Sequence, residues 1–158
     1  MGDNWELGRD GDLCWHISED LKRFRQLTMG GAVIMGRATW DSLPKKPLPG
    51  RLNIVLTSRP SLDGAPEGVL TANSLDEAVA LAGKKEVFII GGESVYRQAF
   101  PIADRLEITH IYEEDPDADK FFPEFTPDDW KLVDKSELME TEDGITFGYE
   151  SYIRRKEE

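Results

Sequence analysis

The chain has 158 residues, of which 39% are hydrophobic and 32% charged, a balance typical of one globular domain. Its net charge of −12 excludes nucleic acid and anionic membranes as expected partners, and no apolar run is long enough to span a bilayer. The single cysteine, Cys14, excludes an intramolecular disulfide, and no secretory pattern opens the sequence. We therefore expect a single cytoplasmic domain over residues 1–158.

The elements follow from hydrophobic periodicity, glycines and prolines. Residues 2–14 are rich in glycine and aspartate and predict a loop. Ser18 then precedes an amphipathic helix as its N-cap, with Glu19 and Asp20 in the first turn. Further helices are predicted at 36–43, at 74–82 with Ser74 as its cap, and at 93–101. Strands are predicted at 32–35, 53–57, 69–73, 86–90, 105–112, 130–140 and 145–155. The all-apolar run at 32–35 indicates a strand buried on both faces.

The order of these elements indicates the fold class. Strands first alternate with helices, and the last two strands form a hairpin around residues 141–144. This order predicts an α/β fold with a mixed, mostly parallel central sheet, helices on both faces and a C-terminal antiparallel β-hairpin. Ligands of such folds bind beyond the C-terminal ends of the parallel strands.

Three of these strand ends carry residues suited to an anionic ligand. Arg37 follows the first strand beside the free N–H groups of a helix start, and Thr57-Ser58-Arg59 follows the second. Hydroxyls and guanidinium groups suit phosphate, and Gly91-Gly92 after the fourth strand lets a backbone approach a pyrophosphate or a flat ring. Each group taken alone is more often an ordinary capped turn or a surface arginine than a ligand site, so both interpretations stay open.

Asp20 is the candidate acid. The face of this helix that is predicted to be buried carries Leu21, Phe24, Leu27 and Thr28. Asp20 precedes the last three of them by four, seven and eight residues, so its carboxylate borders this apolar stripe. A carboxylate in an apolar cleft suits an amidine-like group or a proton transfer, whereas a lone first-turn acid more often interacts with the helix dipole. His110 is interpreted as structural, and no cluster of side chains has metal-ligand spacing, so no metal is predicted.

Several long stretches resemble one known family. The stretches DNWELGRDGDLCWHISEDLKRF, VIMGRATWDSLPKKPLPGRLNIVLTSR and VFIIGGESVYRQAFPIADRLEITHI resemble the dihydrofolate reductase family, in register from Asp3 to Arg155. The resemblance implies NADPH-dependent reduction of 7,8-dihydrofolate to 5,6,7,8-tetrahydrofolate by hydride transfer with protonation at N5. It also implies a place in tetrahydrofolate biosynthesis and one-carbon metabolism, and sensitivity to antifolate-type inhibitors.

The resemblance assigns residues to three groups. In the catalytic group, Asp20 binds the pterin and assists its protonation, while Trp15 and Thr109 support that site. The substrate-binding group contains Leu21, Phe24, Leu43, Leu48, Arg51 and Ile90. The cofactor-binding group contains Leu7, Gly8, Arg37, Thr39, Thr57, Ser58, Arg59, Gly91, Gly92, Ser94, Val95 and Tyr96. Asp119 matches an acid that steadies the mobile loop around Gly8.

The residues themselves agree with such a reaction. Hydride transfer needs no protein nucleophile because the cofactor carries the chemistry, so one acid and apolar walls suffice. Arg37 and Arg59 favour a cofactor with a 2′-phosphate, which is NADPH rather than NADH. The expected partner is a small molecule, and a monomer is expected, with a strand-swapped dimer as the alternative.

Two departures from the family pattern bear on function. Cys14 stands where the family commonly has proline or an apolar residue, and its thiol is either reactive or a small buried hydrophobe. Only Met1 and Gly2 precede Asp3, where the family has an apolar first strand. We expect that this strand has been truncated, that another chain or a swapped segment supplies it, or that the chain has rearranged and lost activity. The alternatives to a reductase are accordingly a catalytically impaired folate- and NADPH-binding protein and a related pyrimidine reductase of riboflavin synthesis.

Overall fold

A computed structural model of the chain describes residues 1–58 and 67–155. The elements are β1 (Glu6–Arg9), β2 (Asp12–Leu13), α1 (Ser18–Thr28), β3 (Ala32–Gly36), α2 (Arg37–Ser42), β4 (Leu52–Leu56), β5 (Leu70–Ala72), α3 (Leu75–Ala82), β6 (Val87–Ile89), α4 (Glu93–Ala99), β7 (Arg105–Ile111), β8 (Lys120–Phe121), β9 (Trp130–Lys135), β10 (Met139–Glu140) and β11 (Thr146–Arg154). They form two compact units, Ser18–Ala99 and the combination of Met1–Ile17 with Phe100–Glu158. Organisation of residues 1–158 as a single domain stays a prediction.

The unit Ser18–Ala99 is built on a parallel sheet. Its strand order is β5-β4-β3-β6, and Ile34 of the central strand β3 lies opposite Ile54 on one side and Ile89 on the other. Strand β3 is buried from Ala32 to Met35, which explains its uninterrupted apolar sequence.

Helices cover both faces of this sheet. Alanines of α3 and α4 pack with Ile34 and Ile54, whereas Trp40 of α2 packs with Val33 and Met35 on the opposite face. Because the strands are parallel, their C-terminal ends share one edge. The predicted fold class, a mixed α/β fold, is confirmed, and the ends of β3, β4 and β6 meet where the sequence predicted a ligand.

The other unit carries an antiparallel sheet of β7, β11, β9 and β10. The predicted hairpin around 141–144 is present, closed by the Thr141 N–H on the Ile145 carbonyl at 2.9 Å. The single strand predicted at 130–140 is wrong, because it divides into β9 and β10. At Ser136 the hydroxyl Oγ accepts the Tyr149 N–H at 2.8 Å in place of a backbone carbonyl, which interrupts the regular ladder.

The loop predicted over residues 2–14 is also wrong in part, because β1 and β2 pair within it. Asp10 and Gly11 connect the two strands with φ of 51° and 81°. Positive φ at both central residues is the geometry of a type I′ hairpin turn, which Asp-Gly favours. Strand β8 pairs with the other side of β1, so the segment is the centre of a small three-stranded sheet.

Helix α1 shows a further difference from its sequence pattern. Leu21 and Leu27 are 62% and 37% exposed, although their spacing predicts a buried stripe, and only Thr28 is fully buried. Periodicity identifies an apolar face but does not distinguish a face covered by protein from one available to a ligand. No helix in the described parts of the chain is long and apolar enough to cross a membrane.

Candidate functional site

A polar cleft lies at the carboxyl edge of the parallel sheet. Arg37, Thr57 and Ser58 line it together with Asp41, and its volume is about 400 Å³. The Arg37 Nε is 3.3 Å from the Asp41 carboxylate, one helical turn later. An exposed pair of this kind is weak, so Arg37 keeps its charge available to an incoming anion. Arg59, which the sequence also assigned to this group, lies outside the described residues.

A side-chain-free surface adjoins the end of β6. The Gly36 N–H donates to the Gly91 carbonyl at 2.8 Å, and Gly91 has a φ of 120°, in a region that side chains disfavour. The peptide between Gly91 and Gly92 is cis. A Cβ on either glycine would lie 3.5 Å from the Thr39 Oγ1, so the three predicted cofactor residues are together.

Two further residues predicted to bind the cofactor lie at the start of α4. Ser94 is exposed, whereas Val95 is 3% exposed and packs toward Gly36, where an added Cβ would meet Val95 Cγ2 at 3.2 Å. Val95 is therefore a core residue that packs between α4 and β3, and its contact with the cofactor stays a prediction.

Asp20 is the acid of the site, and its charge acts on the phenol of Tyr96. Asp20 is half-buried in the first turn of α1, and Tyr96 is half-buried in α4. Burial raises the pKa of the Tyr96 phenol to about 12, and the negative charge of Asp20 adds to that rise. The phenol therefore stays protonated at neutral pH, near a carboxylate.

Arg51 lies beside helix α1, and hydrogen bonds hold its guanidinium in place. Its Nη1 donates to the Thr28 Oγ1 at 3.1 Å, its Nε donates to the Pro49 carbonyl at 3.0 Å, and its guanidinium lies 5.9 Å from the centre of the Phe24 ring. Burial lowers the Arg51 pKa, and the charge of Arg25 lowers it further. Two guanidinium groups near each other on an acidic protein make a favourable position for an anion.

Asn53 organises the loop before Arg51, a role that the sequence analysis missed. Its side-chain oxygen accepts the Leu48 N–H, and its amide nitrogen donates to the carbonyls of Leu48 and Arg51, all at 2.9 Å. Asn53 is 2% exposed and lies within the apolar strand β4. A polar residue inside an otherwise apolar strand was the available signal. The predicted wall residues Leu43, Leu48 and Ile90 pack on the cluster of Val33, Met35, Trp40 and Val55.

The remaining predicted catalytic residues lie in the unit that contains the antiparallel sheet. Trp15 packs against Ile17, Ile111 and Phe147, and Thr109 lies in β7, where its carbonyl accepts a bond from the Met1 ammonium. The ring nitrogens of His110 are 3.1 Å from Glu150 and 2.9 Å from Asp3. These contacts support the structural interpretation of His110.

Leu7 and Gly8 lie in β1, held by neighbouring backbone. The Leu7 carbonyl accepts the Cys14 N–H at 3.0 Å, and the Gly8 carbonyl accepts the Asp119 N–H at 2.9 Å. The Asp119 carboxylate in turn accepts the Asp10 N–H at 3.0 Å. The predicted steadying acid thus contacts the segment that it was expected to steady.

Glu6 is a second residue that the sequence analysis missed. It is 2% exposed, and its two carboxylate oxygens accept the N–H groups of Asn4 and Asp115, each at 2.6 Å.

The Cys14 thiol also interacts with Asp115. Burial raises the pKa of this thiol to about 11, with a hydrogen bond to Asp115 contributing. The thiol is therefore protonated at neutral pH, which favours the interpretation of Cys14 as a small hydrophobe. Among the described residues, no group of His, Cys, Asp or Glu is arranged to hold a metal ion.

Comparison with known proteins identifies what the chain resembles. Residues 1–154 match the family model described as dihydrofolate reductase. A dihydrofolate reductase of Neisseria meningitidis is 40% identical over 153 residues, covering 96% of this chain and 93% of that relative. One of Bacillus subtilis is 40% identical over 157 residues, covering 99% and 90%. The solved structure of dihydrofolate reductase from Enterococcus faecalis, complexed with NADP(H) and RAB-propyl, has a TM-score of 0.85 at 36% identity, covering 99% of this chain and 93% of that one.

Proposed function

The chain belongs to the dihydrofolate reductase family, and from that premise we propose that it uses NADPH to reduce 7,8-dihydrofolate to 5,6,7,8-tetrahydrofolate. The observation that carries the proposal is the match over nearly the whole chain to relatives of one named activity. The chain is thus an NADPH-dependent oxidoreductase, and these relatives favour that function over a pyrimidine reductase and over an impaired binding protein.

Asp20 is proposed to hold the pterin and assist its protonation. A half-buried carboxylate beside exposed Leu21 suits the 2-amino group and N3 of a pterin, with the apolar helix face against the ring. The reduced ring gains a proton at N5, and a carboxylate that binds the same ring sets its position and electrostatics for that step. The Tyr96 phenol, whose pKa burial and the charge of Asp20 raise, adds a neutral hydrogen-bond donor.

Arg51 is proposed to bind the α-carboxylate of the glutamate tail. A guanidinium matches a carboxylate through two parallel N–H bonds, and the bonds to Thr28 and Pro49 hold it in one orientation. Leu43, Leu48 and Phe24 supply the apolar wall for the benzoyl group that separates the pterin from the tail. Preorganisation by Asn53 reduces the entropy that substrate binding has to overcome.

The residues present fit NADPH. The cleft of Arg37, Thr57 and Ser58 offers positive charge and hydroxyl donors, which a phosphate requires in a chain of net charge −12. At Gly91 and Gly92, a Cβ would occupy the space beside Thr39, so glycine lets a ligand approach the protein backbone closely. When bound, NADPH supplies the hydride, and the protein residues orient it and exclude water.

Roles for the other unit are proposed on the family resemblance. Trp15 and Thr109 support the pterin site, and Leu7 and Gly8 contact the cofactor. In the unit Ser18–Ala99, the same resemblance has Ile90 contribute its carbonyl near both rings. Small-molecule ligands are supported by the solved relative bound to NADP(H). Monomeric state and cytoplasmic location stay predictions.

Loss of NADPH absorbance on adding dihydrofolate tests the proposal, with Asp20→Asn as the critical variant. We expect oxidation that depends on dihydrofolate, and a fall in kcat/KM of at least about a hundredfold in Asp20→Asn, the scale of general acid–base assistance. Asp76→Asn is the matched control, since Asp76 is an exposed acid in the first turn of α3. Its rate should equal that of the unchanged chain.

Two results would contradict the proposal. NADPH oxidation that proceeds at the same rate without dihydrofolate would exclude the reductase. Equal activity of Asp20→Asn and Asp76→Asn would remove Asp20 from the reaction.

A further inference from the structure

We propose that Glu6 is the positioning residue of the cofactor-contacting strand β1, fixing Leu7 and Gly8 through backbone bonds on both sides. Glu6 does not contact a ligand itself, because it is 2% exposed and both of its carboxylate oxygens accept hydrogen bonds from main-chain N–H groups. The inference rests on the proposed function, which assigns Leu7 and Gly8 to NADPH.

The first oxygen of Glu6 stabilises the turn before β1. Trp5 has a φ of 69°, in the left-handed region that side chains disfavour. The Glu6 Oε1 accepts the Asn4 N–H at 2.6 Å, while the Gly2 N–H donates to the Glu6 carbonyl at 3.0 Å. A side chain and a main-chain group of the same residue therefore hold the turn that contains the disfavoured conformation.

The second oxygen joins β1 to a distant part of the chain. The Glu6 Oε2 accepts the Asp115 N–H at 2.6 Å, across 109 positions of sequence. The Asp115 carboxylate then lies 3.3 Å from the Arg9 guanidinium at the far end of β1. Asp115 thus bonds to both ends of β1, and Leu7 and Gly8 lie between these two bonds.

The chemistry of these bonds explains why a carboxylate is needed. An ionised carboxylate accepts two N–H bonds in nearly opposite directions, and bonds to a charged acceptor are stronger than neutral ones. A glutamine of the same shape has one acceptor oxygen, and its amide nitrogen would face an N–H donor. Glu6→Gln therefore removes one of the two links and introduces a repulsion with almost no change in volume.

The test compares NADPH affinity of Glu6→Gln with that of Glu113→Gln. Glu113 is exposed in the same turn and contributes only its backbone carbonyl to the contact with Asp3, so the control removes the same charge without removing a bond. Affinity is measured by quenching of tryptophan fluorescence with NADPH, well below the melting temperature. We expect Glu6→Gln to weaken NADPH binding about tenfold, the size of one charge-assisted bond. Glu113→Gln should stay within about twofold of the unchanged chain.

A second readout separates positioning from simple stability. Folded molecules that have lost only stability keep their NADPH dissociation constant, so equal constants for Glu6→Gln and Glu113→Gln overturn the proposal. If Glu6→Gln does not fold, hydrogen exchange of the unchanged chain replaces it. We then expect the amides of Asn4 and Asp115 to exchange more slowly when NADPH is saturating, and unchanged exchange overturns the proposal.

Failure of the proposed function gives a different result. Turnover of dihydrofolate by the unchanged chain tests the reductase without reference to Glu6. An unchanged chain that binds NADPH but does not oxidise it contradicts the proposed function, while the comparison of Glu6→Gln with Glu113→Gln still decides the inference. An unchanged chain that binds no NADPH overturns both.

Discussion

Replacing Asn53 by alanine should loosen the loop that carries Arg51. The change removes three hydrogen bonds, one to the Leu48 N–H and two to the carbonyls of Leu48 and Arg51. At about 1 kcal/mol each, these bonds amount to about 3 kcal/mol, and water that reaches the half-buried loop reduces the loss to about 2 kcal/mol. Because the same bonds orient Leu48 and Arg51, we expect the KM for dihydrofolate to rise about tenfold.

Urea denaturation and steady-state kinetics measure the two effects separately. Asn73→Ala is the matched control, since Asn73 is exposed and only its backbone N–H, which the substitution keeps, donates to the Glu77 carboxylate at 3.0 Å. The control should change the free energy of unfolding by less than about 0.5 kcal/mol. A loss below about 1 kcal/mol in Asn53→Ala, together with an unchanged KM, would refute the role of Asn53 in organising the loop.

Three further outcomes are expected from individual side chains. Thr28→Val removes the acceptor of the Arg51 Nη1 bond, so the KM for dihydrofolate should rise about fivefold while the KM for NADPH stays constant; an equal change in both would contradict this. Iodoacetamide should alkylate Cys14 at pH 8 about a hundredfold more slowly than a free cysteine, with the rate rising toward pH of about 11; a fast reaction at pH 8 would disprove its protonated state. The raised pKa of Tyr96 stabilises the folded chain below pH 10, and that contribution is lost as the pH rises from 10 to about 12. Tyr96→Phe should therefore flatten the decline of the free energy of unfolding in urea over this pH range, and an identical decline in both proteins would contradict this.

The sequence was most informative where one local signal determines one feature. The apolar run from Ala32 to Met35 predicted a strand buried on both faces, and burial of all four side chains agrees. Ser74 predicted a helix start, and its hydroxyl accepts the Glu77 N–H at 3.1 Å. These features depend on residues close in sequence, so a short stretch of chain contains the full signal.

The features that were missed depend on long-range contacts or on competing signals. The hydrogen bond from the Asp115 N–H to Glu6 joins residues 109 positions apart, and no local sequence pattern predicts which backbone N–H a carboxylate will accept. The hairpin at Asp10 and Gly11 did carry its Asp-Gly signal, but the many polar residues around it outweighed that signal. Leu21 differs in another way, because the helical periodicity was correct but the side chain that it predicted to be buried is 62% exposed.

The surface at Gly91 and Gly92 has a consequence for how the site can change by mutation. Gly91 has a backbone conformation that disfavours other residues, and a Cβ at Gly36 would come within 3.2 Å of Val95. Point mutations can therefore alter the side-chain walls of the site far more readily than this main-chain surface. A ligand that takes its contacts from the backbone here should keep its affinity in variants that escape a ligand held by side chains. Resistance should accumulate instead at positions such as Leu21, which is 62% exposed and whose replacement costs the fold little.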